Sequence, residues 1–112
     1  MNSILEKLNI KEDNYGACSG PGGWMKNSSS KKIASINPAT GKIIASVFES
    51  TIDDCNAIVK KSGDAYKEWR KVPAPIRGQL VREMAEALRD YKDPLGSLVA
   101  LEMGKIKQEG DG

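Results

Sequence analysis

A chain of 112 residues is long enough for one domain at most, and with 39% hydrophobic residues and a single Phe its own core would be modest. The net charge of +2 and the lack of an apolar run of membrane-spanning length give no sign of a nucleic-acid or membrane partner. The chain has no His, which excludes Ser-His-Asp and Cys-His catalysis and His-based metal sites. The first ten residues lack the apolar stretch of a signal peptide, so we expect a cytoplasmic protein with reduced thiols.

Residues 1–31 are predicted to form an N-terminal arm. Ile4 to Ile10 has the spacing of one or two turns of amphipathic helix, and residues 14–30 are a Gly- and Ser-rich loop with room for one short strand. The loop centre, Gly20-Pro21-Gly22-Gly23, lacks the strand before it and the helix after it that a phosphate loop needs, and neither nucleotide-binding spacing fits. We therefore predict a turn, which Trp24 anchors by burying its ring.

Residues 32–49 are predicted to form a β-hairpin. Lys32 to Ile36 alternates apolar and polar residues, and Lys42 to Glu49 returns as the second strand. Asn37-Pro38-Ala39-Thr40-Gly41 joins them, because Pro38 suits the second position of a turn and Gly41 can adopt a positive φ.

Residues 50–112 are predicted to be helical. The first helix runs from Ile52 to about Arg70, with Ser50 or Thr51 as its cap. Asp53 and Asp54, three residues on, occupy the positions of a capping box, with Asp in place of the usual Glu. Gly63 weakens a helix by about 1 kcal/mol relative to Ala, so we expect something to pack closely there. One face of this helix is apolar: Ile52, Cys55, Val59, Ser62, Tyr66 and Trp69.

Two prolines, Pro73 and Pro75, separate the first helix from the second. The third helix is predicted to begin with Asp93 as N-cap and to end at Gly104 in the left-handed conformation. Three apolar helix faces need more cover than two strands supply, so we expect them to pack against sheet and helices outside these residues. The faces of the second and third helices consist of Ile76, Leu80, Met84, Ala87, Leu88 and Tyr91, and of Leu95, Leu98, Val99 and Leu101.

No residue qualifies as catalytic, cofactor-binding or metal-ligating on the sequence alone. Cys18 has no base beside it and is interpreted as an inert loop thiol, and Cys55 is predicted to be buried on its helix face. Basic residues from Arg77 to Arg89 alternate with acids and predict a solvated face, with Arg82 and Glu86 paired one turn apart. The remaining candidate acids are interpreted as helix-terminal or surface carboxylates: Asp53, Asp54, Glu102 and Glu109.

Three segments, in this order and at these spacings, resemble the N-terminal part of an NAD(P)-dependent aldehyde dehydrogenase. They are Asn37-Pro38-Ala39-Thr40-Gly41, Trp69-Arg70 followed by Pro73-Ala74-Pro75-Ile76-Arg77-Gly78, and Leu101-Glu102-Met103-Gly104-Lys105. The run from Leu95 to Ile106, with Glu109-Gly110 after it, is similar to the antiquitin branch in particular, the alpha-aminoadipic semialdehyde dehydrogenases. The resemblance covers roughly Asn14 to Gly112.

The resemblance implies that residues 1–112 are a partial aldehyde dehydrogenase domain. The implied fold class is an α/β fragment of the cofactor-binding domain, a β-hairpin followed by three amphipathic helices with no complete parallel sheet. The full-length enzyme would be a homo-oligomer that uses NAD, and the remainder of the dehydrogenase chain would be the partner of this segment. In that family a cysteine thiolate attacks the aldehyde, hydride passes to NAD, and the thioester is hydrolysed.

The family's catalytic Cys, general-base Glu, oxyanion-hole Asn and nicotinamide-binding sheet all come later in its sequence. None of them maps onto a position here, so no catalytic or cofactor residue is assigned and the fragment is expected to be inactive alone. In some relatives a monovalent cation lies near positions that correspond to Ser35, Ile36 and Glu102. Backbone oxygens supply most of its contacts, so we assign no metal ligand either.

Two alternatives remain open. One is a free-standing helical interaction module that retains dehydrogenase ancestry, and the weaker one is an unrelated helical adaptor. A reading frame that continues past Gly112 into a βαβ run would favour the dehydrogenase fragment, whereas a stop codon would favour the module.

Overall fold

The chain folds into a small mixed sheet accompanied by helices, as described by a computed structural model over residues 2–26 and 31–112. In chain order the elements are α1 (Asn2–Lys7), β1 (Asp13–Asn14), β2 (Lys32–Ile36), β3 (Ile43–Phe48), α2 (Ile52–Trp69), α3 (Ala74–Asp90), α4 (Lys92–Met103) and α5 (Lys107–Asp111). The predicted α/β class, with a hairpin followed by three long helices, is confirmed. The end of the predicted loop, residues 27–30, lies outside the described residues.

The three strands are arranged in the order β1-β3-β2. β2 runs antiparallel to β3 as the predicted hairpin, and β3 is one residue shorter at each end than the sequence pattern indicates. The two-residue β1 adds a parallel edge, with Asp13 opposite Ser46. Lys32 reaches across the central strand to Asp13, with 2.7 Å between Nζ and Oδ2, so an ion pair links the two outer strands.

The hairpin turn is built around Asn37, which is one of the few buried residues in the structure. Its Oδ1 accepts a hydrogen bond from the amide of Ala39 at 2.9 Å, and its carbonyl accepts one from the amide of Gly41 at 2.8 Å. Gly41 has the predicted positive φ of 71°. The side-chain hydrogen bond of Asn37 mimics a backbone turn, which explains why this residue type opens the loop.

α1 ends earlier than its apolar spacing predicts. Asn9 adopts a left-handed φ of 54°, and the amides of Asn9 and Ile10 donate to the carbonyls of Glu6 and Leu5 at 3.0 and 2.8 Å. This pair of hydrogen bonds is the Schellman pattern, which closes a helix and turns the chain away. Ile10 therefore lies outside the helix to which we assigned it.

α2 begins with the capping box that the sequence predicts. Thr51 is the N-cap: its hydroxyl accepts from the amide of Asp54 at 3.2 Å, and the carboxylate of Asp54 accepts from the amide of Thr51 at 3.1 Å. Two otherwise unpaired donors of the first turn are thereby satisfied. Position 50 is not the cap.

The start of α4 differs from the prediction. Tyr91, not Asp93, occupies the N-cap position, and it makes no capping side-chain hydrogen bond. α3 ends at Asp90, so a single residue separates the two helices and Asp93 falls within the first turn of α4. A carboxylate is still favourable there because the helix dipole is positive at that end. Gly104 ends α4 with φ 69°, as predicted.

The helices α2 and α3 leave much of the chain's apolar surface uncovered. The chain exposes 8558 Å², whereas a compact monomer of 12.1 kDa would expose about 6,000 Å². Its radius of gyration is 16.9 Å, against about 13 Å for a compact domain of this length. α2 forms no closely packed pair with another element within residues 2–26 and 31–112, and Ala45 is the one hydrophobic residue there that is classed as buried core.

Candidate functional site: an uncovered apolar surface

The glycine-rich loop forms a turn, as predicted. The amide of Gly23 donates to the carbonyl of Gly20 at 2.8 Å, and the amide of Ser19 donates to the carbonyl of Gly23 at 2.9 Å. Gly22 has φ 68°, which is the third position of a type II turn with Pro21 before it. These amides bond within the loop, and no helix begins within residues 24–26 or 31–36. Among the described residues, the turn therefore offers no cradle for a phosphate.

The aromatic residue of this loop is placed differently from the prediction. Trp24 forms a bridge with Cys18 across the turn, but 54% of its surface is exposed, so the expected burial of its ring is wrong. The Cys18 thiol is half-buried and donates to the carbonyl of Gly20 at 2.9 Å, which gives it a structural contact.

The other thiol, Cys55, is exposed on α2, and the prediction that it is buried is wrong for this chain. The same helix exposes 79% of Ile52 and 70% of Val59. Around Gly63 there is no atom within 4 Å of the point where a Cβ would lie, so the close contact expected there is not made by the described residues. The apolar face of α2 was identified correctly from the sequence, but none of the described residues covers it.

The carboxylates considered as acid–base groups have structural partners or positions. Asp54 belongs to the capping box, and Glu102 accepts a hydrogen bond from the hydroxyl of Ser35 at 2.7 Å. That bond ties α4 to β2 beside a cleft of about 350 Å³ between α1, the sheet and α4. Ser35 and Glu102 are the positions at which the resemblance suggests a cation. Within residues 2–26 and 31–112, however, no three Cys, Asp or Glu side chains are grouped so that they could hold a metal ion.

The helices that pack most closely on one another are α4 and α5. The sequence analysis did not predict α5 as a separate helix. Gly96 is buried against Asp111: a Cβ on Gly96 would lie 3.0 Å from the Cα and the amide nitrogen of Asp111. Lys107 forms ion pairs with Asp93, at 3.2 Å, and with Asp111. The hydrogen bond that Lys107 donates to Asp111 raises the pKa of Lys107 above its ordinary value, and the one that it donates to Asp93 adds to this, although desolvation acts in the opposite direction. This pair of helices is held by close backbone approach and charge, which hydrophobic periodicity cannot reveal.

α3 carries the widest uncovered surface. At 100° per residue, its large apolar residues span about 140° of the helix circumference, which is wider than the stripe of about 100° on a typical surface helix. Five large residues share what we call the α3 apolar face, and each is between 44% and 62% exposed: Ile76, Leu80, Val81, Met84 and Leu88. On the polar side, Arg82 and Glu86 form the predicted ion pair at 3.3 Å between Nε and Oε1.

One charged residue lies within the α3 apolar face. Arg77 precedes Leu80, Val81 and Met84 by three, four and seven positions, so it shares their side of the helix. The structure corrects the prediction that Arg77 belongs to a solvated face: the residue is half-buried, and its Nε is buried without a hydrogen-bond partner. The helical spacing in the sequence already places Arg77 among apolar residues. The prediction was wrong because it relied instead on the alternation of basic and acidic residues along α3.

Within the part of the chain that the structure describes, no helix is long and apolar enough to cross a membrane. The candidate site is an interaction surface, formed by the exposed apolar faces of α2 and α3. No catalytic constellation is assembled by the side chains discussed above.

Comparison with known proteins places this surface in context. The chain is 46% identical over 109 residues to "Aldehyde dehydrogenase family 7 member A1" of Pisum sativum, a match that covers 97% of this chain and 21% of the relative. It is 40% identical over 108 residues to "Alpha-aminoadipic semialdehyde dehydrogenase" of Bos taurus, covering 96% of this chain and 19% of the relative. A "Putative aldehyde dehydrogenase family 7 member A1 homolog" of Caenorhabditis elegans is 38% identical, with 97% and 20% covered.

The chain therefore spans about a fifth of the length of the curated relatives that it matches. A family profile described as the aldehyde dehydrogenase family also matches residues 24–112, which include the hairpin and all of the long helices. On both grounds, this chain belongs to the aldehyde dehydrogenase family.

Proposed function

We propose that this chain is the N-terminal part of an NAD-dependent aldehyde dehydrogenase that oxidises an aldehyde to a carboxylate. The observation that carries the proposal is the 46% identity over nearly the whole chain to a relative named as an aldehyde dehydrogenase. The branch that it resembles, and the name of the bovine relative, favour alpha-aminoadipic semialdehyde as the substrate. We further propose that the active enzyme is a cytoplasmic homo-oligomer.

The 112 residues on their own are proposed to be inactive. The reaction needs a positioned nucleophile with a base in hydrogen-bond reach. Cys18 donates its thiol proton to a backbone carbonyl, and Cys55 lies exposed on α2. The two acids with defined contacts, Asp54 and Glu102, serve the cap of α2 and the link between α4 and β2.

The cofactor does not fit the residues in hand. NAD needs a glycine turn that leads into a helix N-terminus, where free amides meet its pyrophosphate. Here the amide of Gly23 bonds to Gly20, and Trp24, which follows the turn, pairs with Cys18 across it and does not open a helix. We therefore assign NAD binding to the remainder of the enzyme and derive no step through it from these residues.

On this proposal, these residues form part of the outer layer of the cofactor-binding domain. α4 and α5 pack on one another beside the Lys107 ion pairs, and the Ser35–Glu102 hydrogen bond links α4 to the hairpin. α2 and α3 extend from it and present apolar faces that the rest of the enzyme would cover. Burial of apolar surface contributes about 25 cal/mol per Å² to stability. This outer layer would therefore stabilise the enzyme strongly without contacting the substrate.

The alternative is a free-standing interaction module, and the exposed faces of α2 and α3 are the feature that favours it. A module would fold and bind a partner without restoring any enzyme. A dehydrogenase segment would restore activity when it replaces the equivalent part of a relative.

The experiment that tests the proposal is a chimera of full length, in which these 112 residues replace the matched fifth of the Pisum sativum relative. We expect aldehyde-dependent formation of NADH by the chimera, and none by the isolated chain. A chimera that folds and yet lacks turnover, under conditions in which the parent enzyme is active, would contradict the proposed function. Turnover by the purified 112-residue chain would contradict its proposed inactivity.

A further inference from the structure

We infer that the α3 apolar face docks against an apolar polypeptide surface that places one carboxylate, from Asp or Glu, opposite Arg77. This inference deepens the proposed function, because it states the chemistry that the covering part of the enzyme must supply at this face. It is carried by the position and burial of a single guanidinium within a helix face that is otherwise apolar.

The first step is that the face requires cover. All five of its large residues are at least 44% exposed, and together they span about 140° of the helix circumference, against about 100° for an ordinary surface helix. A contiguous exposed patch of this kind is typical of an interface and not of a solvated helix.

The second step is that the cover cannot be purely apolar. Arg77 stays charged at any physiological pH, and its Nε is already buried without an acceptor. Covering the face with hydrocarbon alone would remove the rest of the guanidinium from water, and an unpaired buried charge costs several kcal/mol. A carboxylate is the group that neutralises a guanidinium and can also accept two of its hydrogen bonds in parallel.

The third step concerns where that carboxylate comes from. On α3, Glu86 lies opposite Arg77 and is paired with Arg82. Glu83 lies at the edge of the face beside Ile76, about 120° around the helix from Arg77. A second copy of the chain docked face to face would bring another Arg77 and five apolar residues, so like charges would meet. The remaining four-fifths of an enzyme of the relatives' length is therefore the occupant to which we commit.

The test uses the full-length chimera, with the isolated chain for comparison. Met84 lies on the face and is 59% exposed in this chain, so its oxidation by dilute peroxide reports cover directly. We expect Met84 to be oxidised at least about ten-fold more slowly in the chimera than in the isolated chain, measured by mass spectrometry. Equal rates would overturn the docking of this face.

The charge is tested by two matched reversals on one helix, Arg77→Glu and Arg82→Glu. We expect Arg77→Glu to lower the Tm of the chimera by ~5 °C or more, because breaking a buried pair is strongly destabilising, and Arg82→Glu to change it little. Arg77→Met keeps the apolar stem without the charge and serves if the reversal prevents folding altogether. We expect it to lower the Tm by less than Arg77→Glu and by more than Arg82→Glu. Equal effects of the two reversals, or a chimera stabilised by Arg77→Met, would overturn the assignment of a carboxylate.

The partner acid itself can be identified in the R77K chimera with a carbodiimide, which joins an amine to a carboxylate in contact with it. We expect a cross-link from position 77 to an Asp or Glu outside these 112 residues. A cross-link to an acid inside them would overturn the inference. A chimera with protected Met84 and a sensitive Arg77 but no aldehyde oxidation would contradict the proposed function and leave this inference standing.

Discussion

The contact between α4 and α5 gives the sharpest prediction, because two backbones meet there without a side chain between them. In the Gly96→Ala variant, the new Cβ would overlap the carboxylate of Asp111 and lie 3.0 Å from that residue's Cα and amide nitrogen. The carboxylate can rotate away, but the backbone atoms cannot. α5 must therefore move outward, and we expect it to detach from α4 in the variant.

The size of the effect follows from two opposing terms. Overpacking at a tight backbone contact costs about 1–3 kcal/mol, while Ala in place of Gly within a helix gains about 1 kcal/mol. A net loss of up to about 2 kcal/mol raises the equilibrium for opening α5 by up to about thirty-fold. The α5 amides would then exchange with solvent faster by a similar factor.

Hydrogen exchange measured by mass spectrometry on the peptide that spans α5 tests this expectation. The amides of Glu109 and Gly110, which donate to the carbonyl of Ile106 at 3.1 Å, are the reporters. Gly63→Ala is the matched control, since it makes the same change inside α2, where no described atom beyond the helix's own backbone and the neighbouring residues lies within 4 Å of the new Cβ. It should leave α5 exchange unchanged and raise helicity. If Gly96→Ala exchanges at the wild-type rate, the close approach of the two helices is refuted.

Two further predictions concern a cap and a pH dependence. Thr51→Ala removes the hydroxyl that accepts from Asp54 and should destabilise α2 by about 1 kcal/mol, seen as lost helicity in circular dichroism, whereas Thr51→Ser should retain it; equal loss in both variants would contradict the capping role. Because its pKa is raised by Asp111 and Asp93, Lys107 contributes stability that is fully present below about pH 10.5 and is lost as the pH rises through the raised value. Exchange of the α5 amides, corrected for intrinsic rate, should therefore accelerate at alkaline pH in the wild type and not in Lys107→Met; identical profiles would show that the ion pairs do not hold α5.

Local structure was predictable from the sequence wherever a short pattern determines it. The capping box at Thr51, the turn at Asn37 and the left-handed Gly104 each depend on residues within four positions, and all three were correctly identified. The N-cap of α4 was misplaced because Asp93-Pro94 is also compatible with the first turn of a helix. The left-handed Asn9 was missed because apolar spacing continues past it to Ile10.

Contacts between elements were less predictable. The packing of Gly96 on Asp111 and the pairing of Lys107 with Asp93 join residues 14 or 15 positions apart, and no periodicity connects them. The helix α5 itself has five residues and too short a pattern to be recognised. The candidate site was predictable in part: the apolar faces were found from their spacing, but Arg77 within one of them was assigned to solvent.

The errors in burial share one cause, and it bears on what this chain is. A helical stripe tells which side of a helix must leave water, but it does not tell what will cover that side. Cys55 was therefore predicted to be buried and is exposed, although its helix was correctly identified. In a domain that covers its own apolar faces, a residue on a helical stripe is also a buried residue. Along α2 and α3, residues on the stripes are exposed. Helices of 18 and 17 residues are only marginally stable in water without tertiary packing. A partner surface accounts for three features of these helices together. The features are the clear amphipathic patterns, the uncovered apolar faces and the buried, unpaired Nε of Arg77. On the proposal made above, the chimera supplies that surface.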